Sequence, residues 1–117
     1  PAGAQEPAPP AGSFISAHIS HYWPPLLGVN CAVERDGECV SRMSSGVPWQ
    51  EGVDLALACP SEYPLGTRFS LLDQEWVCLD RGGAIVMDED GHPWLDLLTE
   101  HARVPYGALL EVEVIDD

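Results

Sequence analysis

Four cysteines in a chain of 117 residues constrain what it can fold into more than any other feature. Cys31, Cys39, Cys59 and Cys78 lie 8, 20 and 19 residues apart. Zinc knuckles use closely spaced cysteine pairs, and none is present here. An even set at these spacings reads instead as two disulfides, formed in an oxidising compartment. Four cysteines allow three pairings. The favoured pairing joins Cys31 to Cys39 and Cys59 to Cys78. Within the first loop, Asp36-Gly37 has the chemistry of a hairpin turn. The second disulfide would tie two neighbouring predicted strands, and closing a loop of that length stabilises by about 3 kcal/mol.

The segments between the cysteines read mostly as strands. Phe14 to Tyr22 is rich in Ile and aromatic residues, and Val53 to Ala58 alternates Val, Leu and Leu. Thr67 to Leu72 and Glu75 to Leu79 flank Asp73-Gln74, a two-residue hairpin connection. Ala84 to Met87 is short and apolar. Leu109 to Ile115 places Leu109, Glu111, Glu113 and Ile115 on one face and Leu110, Val112 and Val114 on the other. Short strands punctuated by Gly and Pro predict a small barrel or sandwich. Leu97 to Arg103 is the helical candidate, with Asp96 as its cap. Residues 1–12 are nearly all Pro, Ala and Gly, which cannot build a core, and are expected to form an extended arm. Residues 13–117 then form one domain. The start at Pro1, without Met or an apolar leader, is expected of a secreted chain whose signal peptide has been removed.

Charge excludes several partners. The chain has 5 Arg, no Lys and 19 acidic residues, for a formal net charge of −14. Binding a phosphate backbone needs clustered Lys and Arg, so nucleic acid is excluded, and anionic membrane surfaces are disfavoured for the same reason. No apolar run approaches the ~20 residues of a membrane-spanning helix.

Four ordered segments carry a resemblance. They are Met43-Ser44-Ser45-Gly46; Ala58-Cys59-Pro60 followed by Tyr63-Pro64-Leu65-Gly66-Thr67; Asp80-Arg81-Gly82-Gly83-Ala84-Ile85; and Trp94-Leu95-Asp96-Leu97. Pro105-Tyr106-Gly107 then leads into the last strand. This order resembles the three-aspartate domain of cell-wall enzymes and the related rare lipoprotein A and expansin-like domains, over roughly residues 15–115. The resemblance implies an all-β, six-stranded double-psi β-barrel with one or two short helices and the extended N-terminal arm. It implies that Asp96 is the catalytic acid/base of a lytic transglycosylase-like cleavage of peptidoglycan, with Asp80 in support. Where the family has its first aspartate, this chain has Cys59.

Read without the resemblance, Asp80 would bond the backbone N–H groups of the turn after it. Gly66 permits a tight turn. Gly82 and Gly83 permit backbone conformations closed to other residues and leave room for a ligand. Trp49, Tyr22, Ser45, Gly46, Gly82 and Gly83 are the substrate-binding candidates, with Trp49 in a turn-rich loop as the preferred sugar platform. His18 and His21, three apart on a strand, face opposite sides, so they do not form a two-His metal site. The acidic turn from Met87 to His92 fails the calcium-loop pattern and reads as a hairpin tip. No metal or cofactor is expected. His92 and His101 flank Asp96. No Gly-x-Ser-x-Gly elbow accompanies Ser44-Ser45, which argues against a serine triad. The partners implied are a cell-wall glycan, or the chain itself through residues 1–20, with Ser13 to Ile19 adding as a strand to a neighbour.

Overall fold

The computed structural model describes residues 12–116. Strand β1 (Phe14–Tyr22) is followed by a two-stranded ribbon, β2 (Glu34–Arg35) and β3 (Glu38–Cys39), and by β4 (Ala56–Ala58), β5 (Arg68–Leu71), β6 (Gln74–Asp80), β7 (Trp94–Leu98) and β8 (Ala108–Asp116). Six of these strands close a barrel in the order β1-β7-β4-β6-β5-β8. β1 with β7 and β4 with β6 are parallel pairs, and the remaining contacts in the wall are antiparallel. Parallel neighbours cannot be joined by tight turns, so the chain must cross over between them. This is the closed, mixed, all-β barrel that the double-psi reading requires. Among the described residues its helical content is a single 3-10 turn at Trp49–Glu51.

Side-chain alternation builds two layers. Ala17 and Ile19 of β1, Leu57 of β4, Phe69 and Leu71 of β5, Trp76 and Cys78 of β6, Leu95 and Leu97 of β7, and Val112 and Val114 of β8 fill the barrel. Each large apolar side chain buried there contributes ~1.5–3 kcal/mol. Residues of the opposite parity, Ala56 and Leu98, face outward. They form a second cluster with Met43, against which Tyr22, Val47, Val53 and Leu79 pack. The polypeptide after β3 therefore covers one patch of the outer wall.

Both expected disulfides are present, Cys31–Cys39 and Cys59–Cys78. The first staples the β2–β3 ribbon, whose turn has positive φ at Asp36 (53°) and Gly37 (79°). The second is buried in the barrel core. Arg81 lies across it, with its guanidinium donating to the carbonyl oxygens of Cys59 (3.2 Å), Pro60 (3.1 Å) and Tyr63 (2.7 Å). One cation thus closes the polar end of the loop that Cys59 anchors.

Several local expectations are corrected. Leu97 to Arg103 is not helical: residues 94–98 form β7, because Leu95 and Leu97 alternate into the core and pairing with β1 and β4 overrides helix propensity. Asp96 is therefore a strand residue, not a helix cap. Ala84 to Met87 is not a strand, and Met87 makes only an isolated bridge to Pro93. Val53 to Ala58 shortens to Ala56–Ala58, with Asp54 at φ 60° in the preceding turn. The β5–β6 hairpin turns at Leu72-Asp73, one residue earlier than expected. Both carry positive φ (51° and 59°), as a two-residue primed turn demands. Of the expected arm, residues 1–11 lie outside the described residues. Of Ser13 to Ile19, expected to add to a neighbour, Phe14 to Ile19 pair with β8 on one side, and His18 and Ile19 pair with β7 on the other. That stretch is already part of its own barrel.

Gly52 has an ordinary backbone (φ −103°), so a substitution there meets only packing. A Cβ at this position would lie 2.8 Å from the Ala56 Cβ and 2.7 Å from the Met43 Cε. Gly52→Ala is expected to destabilise by about 1–3 kcal/mol, measured by urea unfolding.

Candidate active site

Strand register brings Asp80 and Asp96 to one face. Ser20 on β1 pairs with Asp96 on β7, Asp96 pairs with Ala58 on β4, and Ala58 pairs with Asp80 on β6. Paired residues point to the same side of a sheet. The four residues therefore form one transverse row on the outer wall, with Ala58 between the two carboxylates. Two strand spacings separate the backbones of Asp80 and Asp96, about 10 Å. Ala58, with its small side chain, is buried between them.

Asp80 reaches this face through an irregularity. Trp76 and Cys78 point into the barrel, and strict alternation would send Asp80 after them. The pairing instead steps from Leu57–Cys78 to Ala58–Asp80, which leaves Leu79 as an extra residue. A bulge of this kind re-aims the side chain that follows it. Leu79 packs on the outer cluster and Asp80 turns outward.

The two carboxylates have different surroundings. Asp80 Oδ1 accepts from the Ser44 N–H (2.9 Å), the Ser44 hydroxyl (3.0 Å) and the Arg81 N–H (2.9 Å). Its Oδ2 accepts from the Tyr22 hydroxyl (3.2 Å). The expected bond to the turn after Asp80 is thus present, together with three that reach across the chain. Asp96 Oδ1 accepts from the Ser20 hydroxyl (2.9 Å). Burial pushes the Asp96 pKa above the usual carboxylate value, the Ser20 bond opposes this, and the Asp80 charge adds to the rise. Burial also pushes the Tyr22 hydroxyl far up, aided by the Asp80 charge, so it remains a donor. The two carboxyls thus differ: Asp96 is biased toward holding a proton, and Asp80 is fixed by four donors.

The remaining sequence candidates fall in different places. Tyr22 belongs to the site. Ser45 donates its N–H to the Leu79 carbonyl (3.0 Å), and Gly46, at φ 91°, donates to the Met43 carbonyl (2.8 Å). Both shape the loop that brings Ser44 to Asp80. Gly82 and Gly83 do not have the positive φ expected of them. Gly82 is instead required by contact, since a Cβ would lie 2.8 Å from Ile85 Cγ1, while Gly83 faces open space. Trp49 lines a separate recess of about 470 Å³ with Pro25, Leu26, Leu27, Glu38, Cys39 and Gln50. Its indole N–H is bonded to the Cys39 carbonyl (3.2 Å). Cys59 is fully buried in its disulfide and contributes no acid.

The sequence did not show what surrounds Trp94, and one cluster of side chains went unrecognised in it. Trp94 lies two residues before Asp96 on β7 and so shares its face. It stacks on His18 (centroids 4.7 Å, 19°) and meets Tyr106 (5.5 Å), which is 81% exposed. Tyr106 lies in the turn just before β8, whose pairing of Ala108 with Ile19 places that turn next to β1. The unrecognised cluster is a group of His18, Asp88 and His92, whose ligating atoms all lie within 4.8 Å of one another. His92, one of the two histidines that flank Asp96 in sequence, thus lies beside Asp88 and is partly exposed. No family model, curated protein or solved structure matches the chain.

Asp96→Asn should raise the midpoint of thermal unfolding near neutral pH. The raised pKa means the folded state holds this proton more tightly than the unfolded chain does. Stability from this group is therefore lost as pH rises from the unfolded value to the folded one. The gain from the variant should be largest above that window. It should vanish below about pH 4, where the unfolded carboxyl is itself protonated.

Proposed function

We propose that the chain is a secreted, cell-wall-associated protein whose Asp80–Asp96 row cleaves a peptidoglycan glycosidic bond by a lytic transglycosylase-like reaction. The observation that carries this reading is the unequal pair of carboxylates on one face. Asp96 donates its proton to the glycosidic oxygen as the C–O bond breaks. The resulting carboxylate takes a proton from the substrate's own hydroxyl, whose oxygen closes on the sugar carbon. The product is an anhydro-sugar, no water is consumed, and Asp96 ends protonated. This route needs one acid/base. Two-carboxylate hydrolysis needs a second group free to act as nucleophile or to activate water. Both oxygens of Asp80 are already engaged by donors, which suits a fixed negative charge better than a nucleophile. The two disulfides fit an oxidising, extracellular setting, and no described helix is long and apolar enough to cross a membrane.

With purified peptidoglycan, the native chain should release fragments lacking one water relative to hydrolysis products, read by mass spectrometry. Asp96→Asn should lower the rate by about 10²–10⁴-fold. Equal product from both proteins would remove Asp96 from the reaction. The native rate should fall as pH rises through the Asp96 pKa, because the acid form does the work.

The exposed Tyr106 ring beside Trp94 favours a second reading, a glycan-binding module without turnover. Aromatic faces suit the C–H surface of a sugar ring. Under either reading Tyr106→Ala should weaken co-sedimentation with peptidoglycan several-fold, a loss of about 1 kcal/mol. Trp49→Ala should leave it unchanged. The reverse pattern would move the platform to the Trp49 recess. Assembly of a structural subunit through residues 1–20 is not favoured by β1, since Phe14 to Ile19 pair with β8 and His18 to Tyr22 with β7.

A further inference from the structure

The acidic hairpin tip between β6 and β7 does more than reverse the chain. Asp88 closes the tip on itself: its Oδ1 accepts from the N–H groups of Asp90 and His92, both at 2.8 Å. The Asp88 N–H and the His92 carbonyl are also bonded (2.8 Å). These contacts immobilise the carboxylate and leave Oδ2 aimed away from the tip. Oδ2 lies 2.7 Å from His18 Nε2 and 3.6 Å from His92 Nδ1. The other ring nitrogen of His18 is 3.1 Å from the Gly107 carbonyl. A carbonyl only accepts, so Nδ1 carries a hydrogen and Nε2 of the neutral ring holds a lone pair. That lone pair faces a carboxylate oxygen, which also offers only lone pairs. At 2.7 Å the contact closes as a hydrogen bond when Nε2 carries a proton, and a metal ion would take that proton's place.

We propose that His18 Nε2, His92 Nδ1 and Asp88 Oδ2 form a binding site for a divalent transition metal ion of the zinc class. Two imidazoles and one carboxylate favour such ions over magnesium or calcium, which prefer all-oxygen sites. In a tetrahedral zinc site the ligating atoms lie about 3.3 Å apart, from bonds of about 2.0–2.1 Å. The observed atoms, from 2.7 Å to within 4.8 Å of one another, bracket that spacing. The supporting contacts are those that metal ligands ordinarily have. His18 is oriented by the Gly107 carbonyl and by its stack on Trp94, and Asp88 by two backbone N–H groups. The three side chains are 20–37% exposed, so an ion held there keeps a coordination position open to solvent or ligand. The site is separate from the Asp80–Asp96 row and does not depend on the reaction assigned to it.

The test is calorimetric titration of the full chain, without a polyhistidine tag, with Zn²⁺. One equivalent should bind, and Co²⁺ at the same site should give the intense visible absorption of tetrahedral nitrogen and oxygen ligation. Asp88→Asn keeps the acceptor that holds the tip but loses the anionic ligand. His92→Ala alters only a partly exposed tip residue and leaves the barrel core intact. Each should weaken Zn²⁺ binding about ten-fold or more and abolish the Co²⁺ bands. Ca²⁺ should not compete. The proposal is overturned by the absence of Zn²⁺ binding up to millimolar concentration. Unchanged affinity in both variants, or competition by Ca²⁺ at similar concentration, overturns it equally, since either would place the ion on the general acidic surface.

Discussion

Parallel pairing of β1 with β7 is the constraint on which the rest of the molecule depends. It closes the barrel, and it also sets three consecutive rows on the outer wall: His18 beside Trp94, Ser20 beside Asp96, and Tyr22 beside Leu98. The first row carries the histidine that meets Asp88 and the aromatic stack. The second supplies the hydroxyl that bonds Asp96. The third supplies the phenol that bonds Asp80 and a face of the outer apolar cluster. A slip of one residue would turn all of these inward and bring Ala17 and Ile19 to the surface. Core packing therefore specifies the polar rows, because the same alternation that buries Ala17 and Ile19 presents His18, Ser20 and Tyr22.

The fold was legible where local chemistry and periodicity agree. The ends of β1, the turn at Asp36-Gly37 and the two faces of β8 follow from residue type alone. The cysteine pairing was legible because one loop contains a hairpin and the other joins adjacent strands. The reading failed where a long-range contact outweighs a local preference. Leu95, Asp96, Leu97 and Leu98 have no strong strand signature, and only pairing with β1 and β4 makes them a strand. Asp80 and Asp96 were visible as the ends of apolar runs in ordered motifs. Their common face was not, since it depends on the extra residue at Leu79. The His18–Asp88–His92 group spans 70 residues of sequence between its first two members, and no spacing rule links them.

Asp80 and Asp96 illustrate how two identical groups come to have different environments. Asp80 sits where a loop, a turn and a strand all present donors. Asp96 sits on a strand whose backbone groups are engaged in pairing, with Ser20 as its side-chain donor among the described residues. Burial acts on it with less opposition. The outer apolar cluster contributes to both conditions. It carries the loop that presents Ser44, and it removes water from one side of the row.

The arginines show a different kind of economy. Arg81 donates to the carbonyls of Cys59, Pro60 and Tyr63, Arg42 to the carbonyl of Gly46, and Arg103 to the side-chain amide of Gln74. Three of the five cations thus serve as donors to neutral oxygens, in a chain with 19 acidic residues. A fourth, Arg68, pairs with Glu75 (2.9 Å), so most of the carboxylates have no arginine partner among the described residues. Two such molecules repel one another over roughly the Debye length, about 8 Å at physiological ionic strength. Like charge therefore acts as a spacer between copies, strongest in dilute electrolyte and weakened wherever dissolved salt screens it.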